Sequence, residues 1–276
     1  MDYFSITEQY YSCWIGCGQL TCKPAAGTHL NFVYSPQRNQ VPPGYNKPFD
    51  WYILYQPGHI LVSYGDKLHP HLKALQSALR PYLTPDVLSD FPSSENCPTA
   101  ALTAAALEQA VCRALDGAAY LARNIKYVFT GLPQFAPARR ARALCAQEFP
   151  LYHDFFLRCH PLCKDTDWLE TYFLQAVNQK LCWGIFDEGQ LVCCSDVPTM
   201  PYLADKVQEI GIQTLEGYQR RGYALDVCLA CAEQILRLEK CPMWSTSADN
   251  IASQRLAKRV GFAPYAQVIT VTAASA

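Results

Sequence analysis

The sequence has few charged residues and no excess of either sign. Of its 276 residues 17% are charged and 50% are hydrophobic, and the formal net charge is −1. This composition excludes a disordered chain and a coiled coil. The near-neutral balance argues against binding to nucleic acid or to an anionic membrane. A lightly charged surface mildly favours self-association, so a homodimer and a monomer both stay open.

Long hydrophobic runs are absent as well. The most apolar stretch, residues 98–107, is shorter than the roughly 18 apolar residues that a membrane-spanning helix needs. A secretory signal peptide starts with a positively charged region, but no lysine or arginine precedes Lys23. We therefore expect a soluble, cytoplasmic protein.

Cysteine, in contrast, is abundant, with 14 residues. Without a secretion signal these should be reduced thiols rather than disulfides. Structural zinc takes four converging ligands, whereas Cys13, Cys17 and Cys22 are loosely spaced and Cys159-His160-Pro161-Leu162-Cys163 stands alone. We predict no metal site. Other cysteines occupy positions where a small hydrophobic residue would serve equally well: Cys182, Cys193, Cys194, Cys228 and Cys231.

The chain is long enough for one large or two modest domains, and we divide it at the prolines of residues 131–137. Domain 1–130 is predicted to be α+β. Its first 65 residues favour strands, including 29–34 and a hairpin of 51–55 with 59–64. A helical pattern follows from residue 69 to about 124, interrupted by a loop at 90–98.

Domain 131–276 alternates helical and strand-like segments, which predicts an α+β fold here too. Strand-like runs at 180–186 and 191–197 flank Asp187-Glu188-Gly189, a pattern typical of a hairpin. The remaining segments follow in chain order: a helix over 167–178, a strand over 207–214, a helix over 223–239, a strand over 243–247, a helix over 250–260 and a strand over 262–271.

The segment 209–224 carries the strongest chemical signal, because a strand leads through a short loop into the start of a helix. The unpaired N–H groups and the helix dipole make such a start an anion site. Gly222 and Ala224 let a diphosphate approach the backbone, and Arg220 and Arg221 add positive potential. The segment lacks the fingerprints of a P-loop and of a dinucleotide-binding turn. A polar turn that merely ends a strand stays an alternative.

Two blocks of this region resemble the GNAT superfamily of acyl-CoA N-acyltransferases. Gln-x-x-Gly-x-Ala at 219–224 resembles the acyl-CoA pyrophosphate loop of that family, and Asn250-x-x-Ser253 with Gly261-Phe262 is similar to its later helix and turn. The resemblance covers residues 165–276 and points to a bacterial two-domain subgroup with a divergent N-terminal half. Residues 1–130 would then be a degenerate GNAT-like unit or a domain of unknown role.

The resemblance implies a fold, a reaction and a coenzyme. The fold is a mixed, mostly antiparallel sheet flanked by helices. The reaction moves an acetyl group from acetyl-CoA to an amine of a small molecule. Backbone groups of Ile212 and Thr214 would flank the acetyl group and the pantetheine arm, and Asn250 and Ser253 would meet the pantetheine or the diphosphate. N–H groups of the loop would hold the diphosphate: Gln219, Arg220, Arg221, Gly222, Tyr223 and Ala224.

The catalytic groups are less clearly marked. Glu209 is the candidate base for the amine proton, although a carboxylate on a strand edge is equally often only solvated. Ala257 stands where many GNAT enzymes carry a tyrosine proton donor. Either Tyr218 or Tyr265 replaces that tyrosine, or the thiolate leaves unaided, or activity is lost. The alternative function is therefore a weak or inactive acyl-CoA-binding sensor or scaffold. His153 and His160 are candidates for an acceptor pocket.

Overall fold

The computed structural model describes residues 1–18, 20, 28–83, 102–116, 119–134 and 140–274. The chain forms two compact units. Unit 1 comprises Met1–Ile6, Tyr127–Trp244 and Asn250–Ala263, and unit 2 comprises Thr7–Lys126, Ser245–Asp249 and Pro264–Ala276. Among the described helices, none is both long and apolar enough to cross a membrane.

The main strands of unit 2 are β1 (His29–Tyr34), β2 (Trp51–Gln56), β3 (His59–Tyr64), most of β4 (Ala119–Phe129) and the second part of β11 (Phe262–Ala273). β1 pairs in parallel with β3, and β2 pairs antiparallel with both β3 and β11. The predicted strand at 29–34 and the predicted hairpin are thereby confirmed. Helices α2 (Leu72–Leu79) and α3 (Ala104–Leu115) share one buried apolar cluster with these strands.

Two predictions for the first half are wrong. Helix α1 (Tyr3–Ile15) occupies the start of the chain, within the first 65 residues that were predicted to favour strands. Five of its buried side chains recur at the spacing of one helix face, namely Thr7, Tyr10, Tyr11, Trp14 and Ile15, and Ser12 is buried beside them. The predicted helix up to residue 124 also fails, because α3 ends where Asp116 adopts φ 46°, and strand β4 (Ala119–Phe129) follows. The predicted loop at 90–98 lies outside the described residues.

The remaining elements lie wholly or mostly in unit 1: β5 (Arg142–Ala143), α4 (Phe149–Cys159), α5 (Leu169–Asn178), β6 (Trp183–Asp187), β7 (Gln190–Asp196), β8 (Val207–Glu209), β9 (Gly211–Thr214), α6 (Tyr223–Arg237), β10 (Cys241–Ser247, whose residues 245–247 belong to unit 2) and α7 (Ile251–Val260). β5, β6, β7 and β9 pair antiparallel in that order, and β8 pairs in parallel with β10. Since antiparallel pairings predominate in both units, the predicted mixed, mostly antiparallel α+β fold is confirmed.

The hairpin of β6 and β7 has the turn that the sequence predicts. Glu188 and Gly189 have φ values of 48° and 79°, and positive φ at both central residues is the signature of a type I′ turn. The cysteines assigned to small hydrophobic positions in unit 1 are all buried: Cys182, Cys193, Cys194, Cys228 and Cys231. Within the described part of the chain the cysteines are free thiols. Cys22, which was considered with Cys13 and Cys17 as a possible metal ligand, lies outside the described residues.

The division into domains 1–130 and 131–276 stays a prediction. The compact units are not continuous in sequence, since residues 264–276 belong to unit 2 rather than unit 1. The reason is the pairing of Gln267–Val271 with β2, a contact between distant parts of the chain that local sequence patterns do not carry.

Candidate coenzyme site

One predicted strand is divided where it changes its pairing partner. Residues 207–214 were predicted as a single strand, but β8 pairs with β10 up to Glu209↔Met243, and β9 pairs with β7 from Gly211↔Asp196 onward. Ile210 lies between them, and its N–H donates to the carbonyl of Met243 at 3.0 Å. β9 therefore ends its sheet, and in the described part of the chain no strand pairs with its edge away from β7; this unpaired edge borders the opening beside β9.

The backbone of β9 presents hydrogen-bonding groups to this opening. The N–H of Leu215 donates to the carbonyl of Val192 in β7 at 2.9 Å, whereas that of Ile210 points to the opposite side. Because successive backbone groups alternate along an antiparallel ladder, those of Ile212 and Thr214 face away from β7. The side-chain amide of Gln219 donates to the carbonyl of Thr214 at 3.5 Å, which agrees with this direction.

The loop after β9 ends in a helix start that has no side-chain cap. Gly222 is the N-cap of α6, with φ 80°, and it supplies no side-chain acceptor. The N–H groups of the first helical turn therefore lack the partner that serine, threonine, aspartate or asparagine would provide. A Cβ on Gly222 would lie 3.1 Å from Nη2 of Arg140. The sequence thus uses glycine here both for its left-handed φ and for space.

These elements enclose a cavity of about 460 Å³ in unit 1. β9, the loop, the start of α6 and helix α7 contribute its walls. Nine of the predicted coenzyme residues line it: Ile212, Thr214, Gln219, Arg220, Gly222, Tyr223, Ala224, Asn250 and Ser253. Arg221 does not line it, because its guanidinium lies 3.5 Å from Oδ2 of Asp187 and donates to the carbonyl of Gly217 at 3.0 Å.

The charge of the cavity wall has one sign. Arg220, Arg255 and Arg259 are among the lining residues, and no aspartate or glutamate of the described chain is. With the positive end of the α6 dipole, these three cations make the cavity suited to a polyanion.

Sequence analysis missed Arg140, which stabilises the start of α6 from outside the motif. Its Nε donates to Oδ2 of Asp226 at 2.7 Å, its Nη1 donates to the carbonyl of Arg221 at 3.2 Å, and its guanidinium lies 4.8 Å from the ring centroid of Tyr223. Arg140 belongs to no periodic pattern or motif, so the sequence carries no signal for this role.

The second motif block is largely structural. Oδ1 of Asn250 accepts from the N–H of Ser253 at 3.0 Å and caps α7, and Oγ of Ser253 accepts from Nε1 of Trp244 at 3.2 Å. Gly261 has φ 112°, and a Cβ there would come within 1.9 Å of the carbonyl oxygen of Gly131. The motif therefore shapes the wall of the cavity as well as presenting polar atoms to it.

Only one of the candidate catalytic residues lines the described cavity. Tyr218 lines the cavity, whereas Glu209, at the end of β8, is not among its described lining residues. Tyr265 belongs to unit 2. Ala257 is fully buried, so its position in α7 is a core position here.

Two hydrogen-bonded pairs of polar side chains lie at or next to β9 in unit 1. Gln213 of β9 is hydrogen-bonded to Nε2 of His160 at 2.7 Å. Tyr172 donates to the carboxylate of Asp196, the β7 residue paired with Gly211, and accepts from the N–H of Val197. Burial and the charge of Asp196 raise the pKa of Tyr172 well above its usual value.

Comparison with known proteins finds one family match, and it lies in the second half of the chain. Residues 179–268 match the family model described as GNAT acetyltransferase. This range includes both motif blocks, and the resemblance seen in the sequence is therefore confirmed for this part of the chain. No curated protein matches the sequence.

Solved structures of GNAT acetyltransferases are among the similar chains. One is an acetyltransferase from the GNAT family of Colwellia psychrerythraea, with 16% identity and a TM-score of 0.49, covering 60% of this chain and 61% of that one. Another is a GCN5-related N-acetyltransferase from Sphaerobacter thermophilus, with 16% identity and a TM-score of 0.47, covering 59% of this chain and 55% of that one. Both matches span less than two thirds of the other chain.

Proposed function

We propose that this chain, whose residues 179–268 match the GNAT acetyltransferase family, moves an acetyl group from acetyl-CoA to an amine of a small molecule. The observation that carries the proposal is a juxtaposition within unit 1. The opening beside β9 adjoins a cavity lined by three arginines and ending at the uncapped start of α6. An extended thioester with an anionic end fits such a site.

The proposed coenzyme contacts follow from this juxtaposition. N–H groups from Gln219 to Ala224 would hold the diphosphate, with Arg221 contributing through its backbone only. Backbone groups of Ile212 and Thr214 would flank the pantetheine arm and the acetyl group. Asn250 and Ser253 line the same cavity and would contact the coenzyme while they cap and brace α7.

The chemistry requires a neutral amine, a stabilised oxyanion and a protonated leaving group. A backbone N–H of β9 that faces the opening would stabilise the oxyanion. Glu209 is the last residue of β8, immediately before Ile210, where the pairing partner changes. We propose Glu209 as the base that accepts the amine proton, directly or through water. Tyr218 lines the cavity and would supply the proton that a tyrosine at position 257 supplies elsewhere in the family.

A second function, binding of acyl-CoA without efficient turnover, is favoured by two observations. The position of the usual phenolic donor holds an alanine, Ala257, which is fully buried. Glu209 lies outside the described lining of the cavity. A sensor or scaffold would need the coenzyme site alone.

The free thiols of the described cysteines fit a reducing compartment, and we propose the cytoplasm for either function.

Two measurements on the full chain separate these functions. The first is thermal unfolding with and without acetyl-CoA, because a ligand that binds the native state raises Tm. The second is release of coenzyme A with a panel of small amines, followed by chromatography rather than a thiol reagent, since the protein itself has 14 cysteines. A raised Tm with amine-dependent release supports the transferase. A raised Tm without release supports the sensor, and no rise at millimolar acetyl-CoA contradicts both.

A further inference from the structure

Helix α7 presents two arginines to the cavity at one-turn spacing. Arg255 and Arg259 both line it, and residues four apart lie on the same face of an α-helix. They belong to a different helix from the one whose start forms the anion site. The cavity therefore has a second cationic region, separate from the loop at 219–224.

Neither arginine has a carboxylate partner within the described part of the chain. Each ion pair found there involves other residues, and the arginines near the site, Arg140 and Arg221, are each paired with an aspartate. No carboxylate of the described chain lines the cavity either. Two like charges one turn apart disfavour a helix, and an anion bound between them would relieve that repulsion.

The helix dipole explains only part of this pattern. Lys258 and Arg259 lie in the last turn of α7, where cations are favourable without any ligand. Arg255 lies before that turn. Lys258 has the same charge and the same place at the helix end, but it does not line the cavity. The dipole therefore accounts for a cation at Arg259 but not for Arg255, nor for the position of both arginines on the cavity wall.

We propose that Arg255 and Arg259 form a subsite for a phosphomonoester, namely the phosphate that coenzyme A carries on its ribose in addition to the diphosphate. This inference rests on the proposed function. A phosphomonoester has a charge of about −1.5 to −2 at pH 7, and paired N–H donors of arginine match its oxygens. The loop and Arg220 would hold the diphosphate, while α7 would select the coenzyme that bears the extra phosphate.

The test compares coenzyme A with 3′-dephospho-coenzyme A by isothermal titration calorimetry on the full chain. The wild type should bind coenzyme A at least tenfold more tightly than the dephospho form. Arg255→Met and Arg259→Met should each lower this ratio, and the double variant should bring it close to one. Lys258→Met, which removes an equal charge from the same helix end, should keep the wild-type ratio.

The outcomes separate the two proposals. If the wild type binds both compounds equally, or if the double variant keeps the wild-type ratio, the subsite is wrong while the coenzyme site stands. If neither compound binds, the proposed function fails and the subsite fails with it. If Lys258→Met lowers the ratio as much as Arg259→Met does, general charge rather than a subsite explains the selectivity, and the inference is overturned. Circular dichroism of each variant checks that α7 remains folded.

Discussion

Nε of Arg140 lies 2.7 Å from Oδ2 of Asp226, so an arginine outside the strand–loop–helix motif neutralises the carboxylate in the first turn of α6. The Asp226 side chain is only 4% exposed, whereas that of Arg140 is 41% exposed. A buried negative charge at this position would repel an incoming diphosphate unless it were paired. Arg140 is therefore a positioning residue, which acts on the coenzyme site through Asp226 and through the carbonyl of Arg221.

Replacing Arg140 with Met should weaken binding of acetyl-CoA about tenfold, equivalent to about 1.4 kcal/mol. The loss arises because the Asp226 carboxylate becomes unpaired beside the anion site. Adding Asp226→Asn should restore most of the affinity, since the uncompensated charge is then gone. Calorimetric titration measures both. Arg142→Met is the matched control, because Arg142 pairs with Glu148 instead. A double variant as weak as Arg140→Met would contradict the electrostatic explanation.

A Cβ branch at Gly222 should disturb the same site sterically. The φ of 80° strains any β-branched residue there, and the new Cβ would lie 3.1 Å from Nη2 of Arg140. We expect Gly222→Val to lower acetyl-CoA affinity at least tenfold, about 1.4 kcal/mol, while circular dichroism stays that of the wild type.

Gly217→Val is the control for Gly222→Val. Gly217 has φ 85° in the same loop, but nothing lies within 4 Å of its added Cβ, and it does not line the cavity. This variant carries the same backbone strain without a side chain toward the site. Equal losses of affinity in the two variants would mean that loop strain alone, and not the approach of the diphosphate to Gly222, is responsible.

Much of unit 1 could be predicted because its signals are local. The Glu188-Gly189 turn and the Gly222 helix start are set by neighbouring residues, and glycine is required there by positive φ. The partner change at Ile210 could not be predicted, because β8 and β9 form a continuous strand-like run and only their pairing with β10 and β7 separates them.

In unit 2, composition was misleading. The alanine-rich run up to residue 123 favoured a helix over the start of β4. The expectation of strands in the first 65 residues missed α1, although the period of Tyr10, Tyr11 and Trp14 is helical. Tertiary packing decided both elements. Arg140 shows the same limit at the site, since its role depends on a contact with Asp226, 86 residues further along the chain.

One ion pair of unit 1 should make stability depend on pH. Hydrogen bonding from Arg142 lowers the pKa of Glu148 from 4.5 to about 2. Because the pKa is lower in the folded state, this contribution to stability is present above pH 4.5 and is lost as the pH falls toward 2. We expect Glu148→Gln to have a lower Tm than the wild type at pH 7, a smaller difference at pH 3 and a similar Tm at pH 2 or below. A Tm difference that stays constant over this range would contradict the assignment.

Glu209→Gln tests the proposed base. It keeps the shape of the side chain and removes its basicity, so turnover with an accepted amine should fall by roughly 10² at neutral pH. Acetyl-CoA affinity should stay unchanged, because Glu209 does not line the described cavity. The loss should shrink as pH rises, since more of the amine is then already neutral.

A pH–rate profile of wild type and Glu209→Gln, beside Glu216→Gln, measures this effect. Glu216 is an exposed carboxylate of the loop that does not line the cavity, so its variant should follow the wild-type profile. Unaltered turnover of Glu209→Gln across the whole profile would remove Glu209 from the mechanism and leave an ordered water as the proton acceptor.

Tyr218→Phe tests the proton donor that Ala257 does not provide. The change keeps the ring, whose centroid lies 4.9 Å from the Arg221 guanidinium, and deletes only the hydroxyl. If Tyr218 protonates the departing thiolate, kcat should fall by roughly 10², while calorimetric affinity for acetyl-CoA stays the same. A substrate with a thiol leaving group of lower pKa needs less protonation, so the fall in kcat should be smaller with it. Tyr120→Phe, at an exposed phenol of unit 2, should leave kcat with both thioester substrates unchanged. If Tyr218→Phe instead turns over both substrates like the wild type, the thiolate leaves unaided, and the buried Ala257 marks a site that works without a phenolic acid.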